Sequence, residues 1–292
     1  VFGVLHKRGR AMSTTWDEGK KPPPAPVTPW RLLLAALRVL ILAAVVFGGL
    51  AVLLALRLFE WPLFGQHRPL TPYITQGVCR AAFVILGIGF RSHGQAMGHP
   101  GAVVANHSSW LDIFALNAGK RIYFVSKSEV ARWPGIGWLA RATGTVFIRR
   151  DPKDAKQQKA MFQTRLLAGH RLLFFPEGTS TDGLRVLPFK STLFAAFFDE
   201  KLRCEMYIQP VTVLYKAPPG QAAEFYGWWG DMSFHSHLLK TLLAPRQGRV
   251  EVIYHPPVQV ATYYDRKALT ADVEARVRAG HRALVDADAG VG

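Results

Sequence analysis

Between Arg38 and Arg57, residues 39–56 carry no charged or strongly polar side chain. An amphipathic surface helix cannot read this way, because one of its faces must meet water. The run is close to the roughly 20 apolar residues that cross a hydrocarbon core. It starts far inside the chain and matches a small-residue cleavage site poorly, which argues against a secretory signal. A helix buried in a protein core is the alternative. A second apolar segment, residues 78–90, is broken by Arg80 and suits a re-entrant or interfacial helix. Arg31, Arg38, Arg57, Arg68 and Arg91 flank both segments, so basic residues set no polarity for a single crossing. That symmetry predicts a helical hairpin entering one leaflet, with the N-terminal tail and the remaining chain on one side.

The charge balance is 36 basic to 20 acidic residues, a net +16. Such a surplus favours anionic partners: a phospholipid surface, nucleic acid or an anionic cofactor. The basic residues are scattered and keep company with 8 tryptophans and 18 phenylalanines, which fits a membrane interface and not a nucleic-acid face. Cys79 and Cys204 form no CxxC pair and imply a reducing, cytosol-facing location. His235-Ser236-His237 lacks a third ligand nearby and reads as exposed polar residues, so no metal site is expected. Residues 1–29, with Lys20-Lys21 and a proline-rich stretch, read as an unstructured basic tail. The chain opens on valine and its first methionine is Met12, so the opening residues read as a start-site artefact outside the fold.

After Gly101 short apolar runs alternate with longer helical patterns. Residues 102–105, 122–125, 145–148, 171–175, 207–214 and 250–254 predict strands; 153–168 and 189–201 predict helices. Alternation of this kind predicts an α/β fold with a mostly parallel sheet flanked by helices. Leu269, Val273, Val277 and Leu284 predict a last helix that packs on the domain or lies on a membrane. The expected organisation is a tail (1–29), membrane-anchoring helices (30–95) and an α/β domain (96–292).

The stretch 103–112, Val-Val-Ala-Asn-His-Ser-Ser-Trp-Leu-Asp, reads as a buried strand turning into a helix. On one regular helix His107 and Asp112 stand about 140° apart. They meet only if the histidine precedes the helix and the aspartate lies in its first turn, with Ser108 or Ser109 as N-cap. An imidazole held by a carboxylate keeps one nitrogen protonated and offers the other as a base. Read alone, the same residues also fit a capping box.

Three further segments carry candidate chemistry. Residues 144–151 form a strand ending in Arg149 and Arg150, paired guanidiniums suited to a phosphate or carboxylate. At 173–180 a strand is halted by Pro176. Glu177, Gly178, Thr179 and Ser180 follow at its C-terminal edge, where open α/β sheets place ligands. At 208–213 Pro210 interrupts a strand, which places it at an edge or bulge.

In this order the four segments resemble the glycerolipid acyltransferases typified by 1-acylglycerol-3-phosphate O-acyltransferase. The matching blocks are Asn106-His107-Ser108-Ser109-Trp110-Leu111-Asp112, Gly144 to Arg150, Phe175-Pro176-Glu177-Gly178-Thr179-Ser180, and Ile208 to Val211. The resemblance implies direct acyl transfer from acyl carrier protein or coenzyme A thioester to a lysolipid hydroxyl at a membrane. His107 then acts as base and Asp112 orients it. Arg150 and Glu177 hold the acceptor head, amides near the elbow and Gly178 are candidates for the oxyanion, and no cofactor is needed. The phosphatidate-forming members usually carry arginine where this chain has Ser180. Losing that guanidinium removes a contact worth about 1.5–3 kcal/mol to a phosphate. Ser180-Thr181-Asp182-Gly183 followed by Leu187-Pro188-Phe189-Lys190 resembles lyso-ornithine lipid O-acyltransferases, whose acceptor head is an amino acid. Asp182 suits a cationic head, while Arg185 and Lys190 leave lysophosphatidic acid open as acceptor. A thioesterase using the same pair and a non-enzymatic lipid-binding protein are the competing classes; no GxSxG elbow supports a hydrolase.

Overall fold

The structure is a computed structural model that describes residues 16–18, 21–23, 25–149 and 155–289. Two helices come first. Helix α1 spans Pro29–Phe64 and contains the whole apolar run. Its 36 residues reach about 54 Å, longer than a bilayer's hydrocarbon core. Helix α2, Thr71–Leu86, ends at Gly87, whose left-handed φ of 78° closes the helix. Glu60, buried near the end of α1, accepts hydrogen bonds from the amides of Leu70 and Thr71 and from the Thr71 hydroxyl. It thereby caps the start of α2 and fixes the hairpin angle. Arg38, buried near the other end of α1, donates to the carbonyls of Leu242 and Ala244. Helix α1 is thus tied to the rest of the molecule near both ends. Along it Leu33, Leu40, Leu58 and Leu63 are exposed.

The remaining elements are β1 (Gly89–Gly94), β2 (Gly101–Ala105), α3 (Asp112–Gly119), β3 (Tyr123–Lys127), α4 (Ile136–Ala142), β4 (Val146–Ile148), α5 (Ala155–Leu167), β5 (Leu172–Phe174), β6 (Tyr207–Lys216), α6 (Phe234–Leu243), β7 (Arg249–Tyr254), β8 (Val258–Gln259) and α7 (Arg266–Ala289). The strands form one sheet in the order β1-β7-β6-β2-β5-β3-β4, with β8 against β6. All pairings are parallel except those of β6 with β7 and with β8. This is the mostly parallel, helix-flanked sheet that alternation predicts. Helix α7 packs on it through Leu269, Val273 and Val277, all fully buried.

Three expectations change. Gly89–Gly94 is a sheet strand and not the end of an anchor helix; its Gly-Phe-Arg-Ser-His-Gly sequence lies mostly in solvent, so no apolar run marks it. Residues 189–201 are not an α-helix. They hold a 3₁₀ turn, Leu193–Phe198, in which Phe194 and Phe197, three apart, both pack on Phe174. Pro210 lies in an interior strand and not at a sheet edge. Opposite β2, however, β8 pairs only as far as Ile208 and β7 begins only at Val211. Pro210 occupies that break, where a missing N–H costs no ladder bond on that side.

Candidate active site

Strand β2 is buried on both faces and ends where β5 and β6 flank it. The next residue, Asn106, clamps the chain to β6: its amide donates to the Val213 carbonyl and accepts from the Val213 N–H, both at 2.8 Å. The backbone then turns sharply and α3 begins at Asp112. His107 thus precedes the helix and Asp112 opens it. The imidazole Nδ1 lies 2.7 Å from Asp112 Oδ2. The same oxygen accepts the amides of Ser108 and Ser109 at 2.8 and 3.1 Å. Neither serine caps the helix through its hydroxyl; the cap position is Leu111, and Asp112 reaches back to bind the turn's amides instead. Asp112 is fully buried whereas the His107 side chain is 20% exposed, so the ring's other edge is open to a substrate. Phe175 stacks on that ring, 4.0 Å between centroids and 10° between planes. Trp110 Nε1 donates to His237 Nδ1 at 2.9 Å, pinning the elbow to α6. His237 is therefore buried and not an exposed polar residue, and burial, with the Lys240 charge, pushes its pKa down to about 3.

The loop after β5 lies against the elbow. Glu177 is buried, its Oε1 accepting the His107 amide at 2.8 Å and its Oε2 the Leu187 amide at 3.0 Å. Burial outweighs both donors and pushes its carboxyl up to about 8. Each oxygen accepts one backbone amide, so Glu177 fastens two loops to one another. The amides of His107, Ser108 and Ser109 are likewise occupied by carboxylates and do not form an oxyanion hole. Gly178 has a φ of 76°, a left-handed turn position that needs glycine. Thr181 N–H donates to the His107 carbonyl at 3.0 Å, bringing Thr179, Ser180 and Asp182 beside the elbow. Asp182, also buried, pairs with the half-exposed Arg185 at 2.9 Å. The Thr179 hydroxyl accepts from the Trp16 N–H at 3.3 Å, Arg185 lies over the Trp16 ring, and Lys21 pairs with Asp231. The described part of the N-terminal segment, read as an unstructured tail, thus rests on this loop.

Arg149 and Lys190 are exposed, and Lys190 joins the loop through its backbone N–H to the Pro176 carbonyl. Pro210 pairs in register with Val104 of β2, and its carbonyl accepts the His255 N–H at 3.1 Å. Arg150 lies outside the described residues. Sequence reasoning missed Phe175 as the ring behind His107, although it stands directly before the Pro-Glu-Gly-Thr block.

A family model described as Acyltransferase matches residues 89–214, which hold the elbow, the loop after β5 and nearly all of β6. A lyso-ornithine lipid O-acyltransferase of Rhodobacter capsulatus is 57% identical over 265 residues, covering 91% of this chain and 96% of that protein. The chain belongs to this acyltransferase family. A second lyso-ornithine lipid O-acyltransferase, from Brucella abortus, is 37% identical and covers 82% of the chain. A 1-acyl-sn-glycerol-3-phosphate acyltransferase of Neisseria gonorrhoeae is 39% identical over 41% of the chain. The crystal structure of the 1-acyl-sn-glycerophosphate acyltransferase PlsC of Thermotoga maritima shares the fold, with a TM-score of 0.61 over 87% of this chain at 22% identity. The acyltransferase is therefore an α/β domain preceded by a long apolar helix consistent with membrane association.

Proposed function

We propose that this acyltransferase completes ornithine lipid by moving an acyl chain from acyl carrier protein or coenzyme A thioester to the hydroxyl of lyso-ornithine lipid. The 2.7 Å His107–Asp112 pair carries the reading. With Nδ1–H donated to Asp112, Nε2 takes the proton of the lipid hydroxyl as its oxygen attacks the thioester carbonyl. The tetrahedral adduct then collapses, the C–S bond breaks, and the imidazolium returns the proton to the departing sulfur. No acyl-enzyme forms, and the chemistry calls for no resident metal or cofactor.

The acceptor assignment rests on the two lyso-ornithine lipid relatives and on Ser180 where the phosphatidate-forming pattern has arginine. Asp182 and Arg185 support it: an amino-acid head carrying one ammonium and one carboxylate matches this pair in both signs. The membrane reading is a hairpin of α1 and α2 in the cytoplasmic leaflet. Trp16 reaches Thr179 although α1 lies between them in sequence, which favours tail and site on one face. Protease protection of both together in sealed vesicles is the expected result; protection of only one contradicts the hairpin.

The acceptor is tested by assaying lyso-ornithine lipid against lysophosphatidic acid, in the native chain and in Ser180→Arg. The native chain is expected to prefer the former, and the variant to gain about tenfold toward the phosphate acceptor, the low end of what a charged hydrogen bond supplies. A native preference for lysophosphatidic acid, or no gain in the variant, overturns the assignment.

A further inference from the structure

Strand β6 passes beneath the elbow, and Asn106 fixes its register there by bonding both backbone groups of Val213. Side chains two apart in a strand share a face. Val211, Val213 and Tyr215 accordingly lie in the same apolar cluster as Trp110, Leu111 and Ala115 of the elbow and α3. Tyr215 thus lies on the face of β6 that packs toward the elbow and α3, the helix that Asp112 opens. Asp112 Oδ2 has three donors, while Asp112 Oδ1 and the Tyr215 hydroxyl are each buried without a hydrogen-bond partner among the described residues, as are the hydroxyls of Ser108 and Ser109 in the turn itself. Two such groups, one an ionisable acceptor and one a donor, each cost free energy unless they meet.

We infer that Tyr215 is a positioning residue for the acyl transfer, its hydroxyl donating to Asp112 Oδ1 so that the carboxylate is held from both oxygens and His107 is aimed at the acceptor. Full burial raises the Tyr215 pKa well above its ordinary value, and the charge and hydrogen bonding of Asp112 raise it further, so the phenol stays a donor throughout the working range. Donation from Tyr215 spreads the Asp112 charge over two oxygens. Removing it concentrates charge on the oxygen facing His107 and favours the imidazolium, the form that cannot act as base.

The inference rests on His107 being the base, and its test separates the two. In the full chain, assayed in phospholipid vesicles with lyso-ornithine lipid and acyl carrier protein thioester, Tyr215→Phe is expected to lower kcat about tenfold while KM for the lysolipid stays within about twofold. The acid limb of its pH–rate profile is expected to move to higher pH. Fluorotyrosines placed at 215 keep the shape and strengthen the donor, and are expected to move that limb the other way in order of phenol acidity. A pure packing role moves the melting temperature and leaves the acid limb in place in both series; that result overturns the inference, as does an unchanged kcat. Should His107→Ala retain full activity, the base assignment itself fails, whatever Tyr215 does.

Discussion

Two buried carboxylates stand at the ends of neighbouring strands, and they are put to different use. Asp112, after β2, gathers two backbone amides and one imidazole whose far edge is open. Glu177, after β5, gathers two backbone amides and, among the described residues, no side-chain hydrogen bond. A carboxylate with a titratable partner at the surface can influence a reaction, because its charge is felt by a group that substrate can reach. A buried carboxyl bound to backbone amides, with no imidazole on it, serves first to hold loops in place. The two are also linked in series, since Glu177 binds the amide of the very histidine that Asp112 orients. The loop after β5 therefore braces the elbow through Glu177.

The contrast is tested most severely at Asp112. Asp112→Asn keeps the shape and an acceptor oxygen but removes the charge, and kcat is expected to fall about a hundredfold or more, measured by ornithine lipid formation. A loss under tenfold breaks the distinction. Glu177→Gln is expected to cost less than about tenfold in kcat, with KM for the lysolipid nearly unchanged. A rise in KM with kcat intact would instead return Glu177 to the acceptor head.

The smallest effect is the most specific to Glu177. Its carboxyl is pushed up to about 8 by burial, above the ordinary 4.5. A raised folded-state value means the protonated form is favoured in the fold, so its stabilising effect is complete below about pH 4.5 and is lost as pH rises through about 8. The melting temperature of the native chain, relative to Glu177→Gln, is expected to decline between those limits. A flat difference across that interval contradicts the burial of an isolated carboxyl.

Much of this arrangement is legible in the sequence because it is local. Five spaces from His107 to Asp112, across a strand-to-helix turn, leave one geometry in which the side chains meet, and the structure adopts it. The parallel core strands announce themselves as short apolar runs, since both their faces are covered. What stays hidden depends on partners remote in sequence. β1 is a mostly exposed strand defined by its pairing with Arg249–Tyr254. The break that accommodates Pro210 exists only because β7 and β8 meet β6 from the same side. Tyr215 lies over a hundred positions from Asp112, and nothing in its neighbours Leu214 and Lys216 marks it; only the Asn106–Val213 register brings the two together. The tail that rests on Thr179 is equally unreadable, because the partner of Trp16 lies 163 positions further along the chain.

The central claim is that the imidazole of His107, held by a buried carboxylate, takes the proton from the lipid alcohol. Its most direct test is single-turnover formation of ornithine lipid by the full chain carrying His107→Ala, with the melting temperature recorded alongside. The account predicts a fall of about a thousandfold at an unchanged melting temperature. Turnover within a few-fold of the native rate would contradict it.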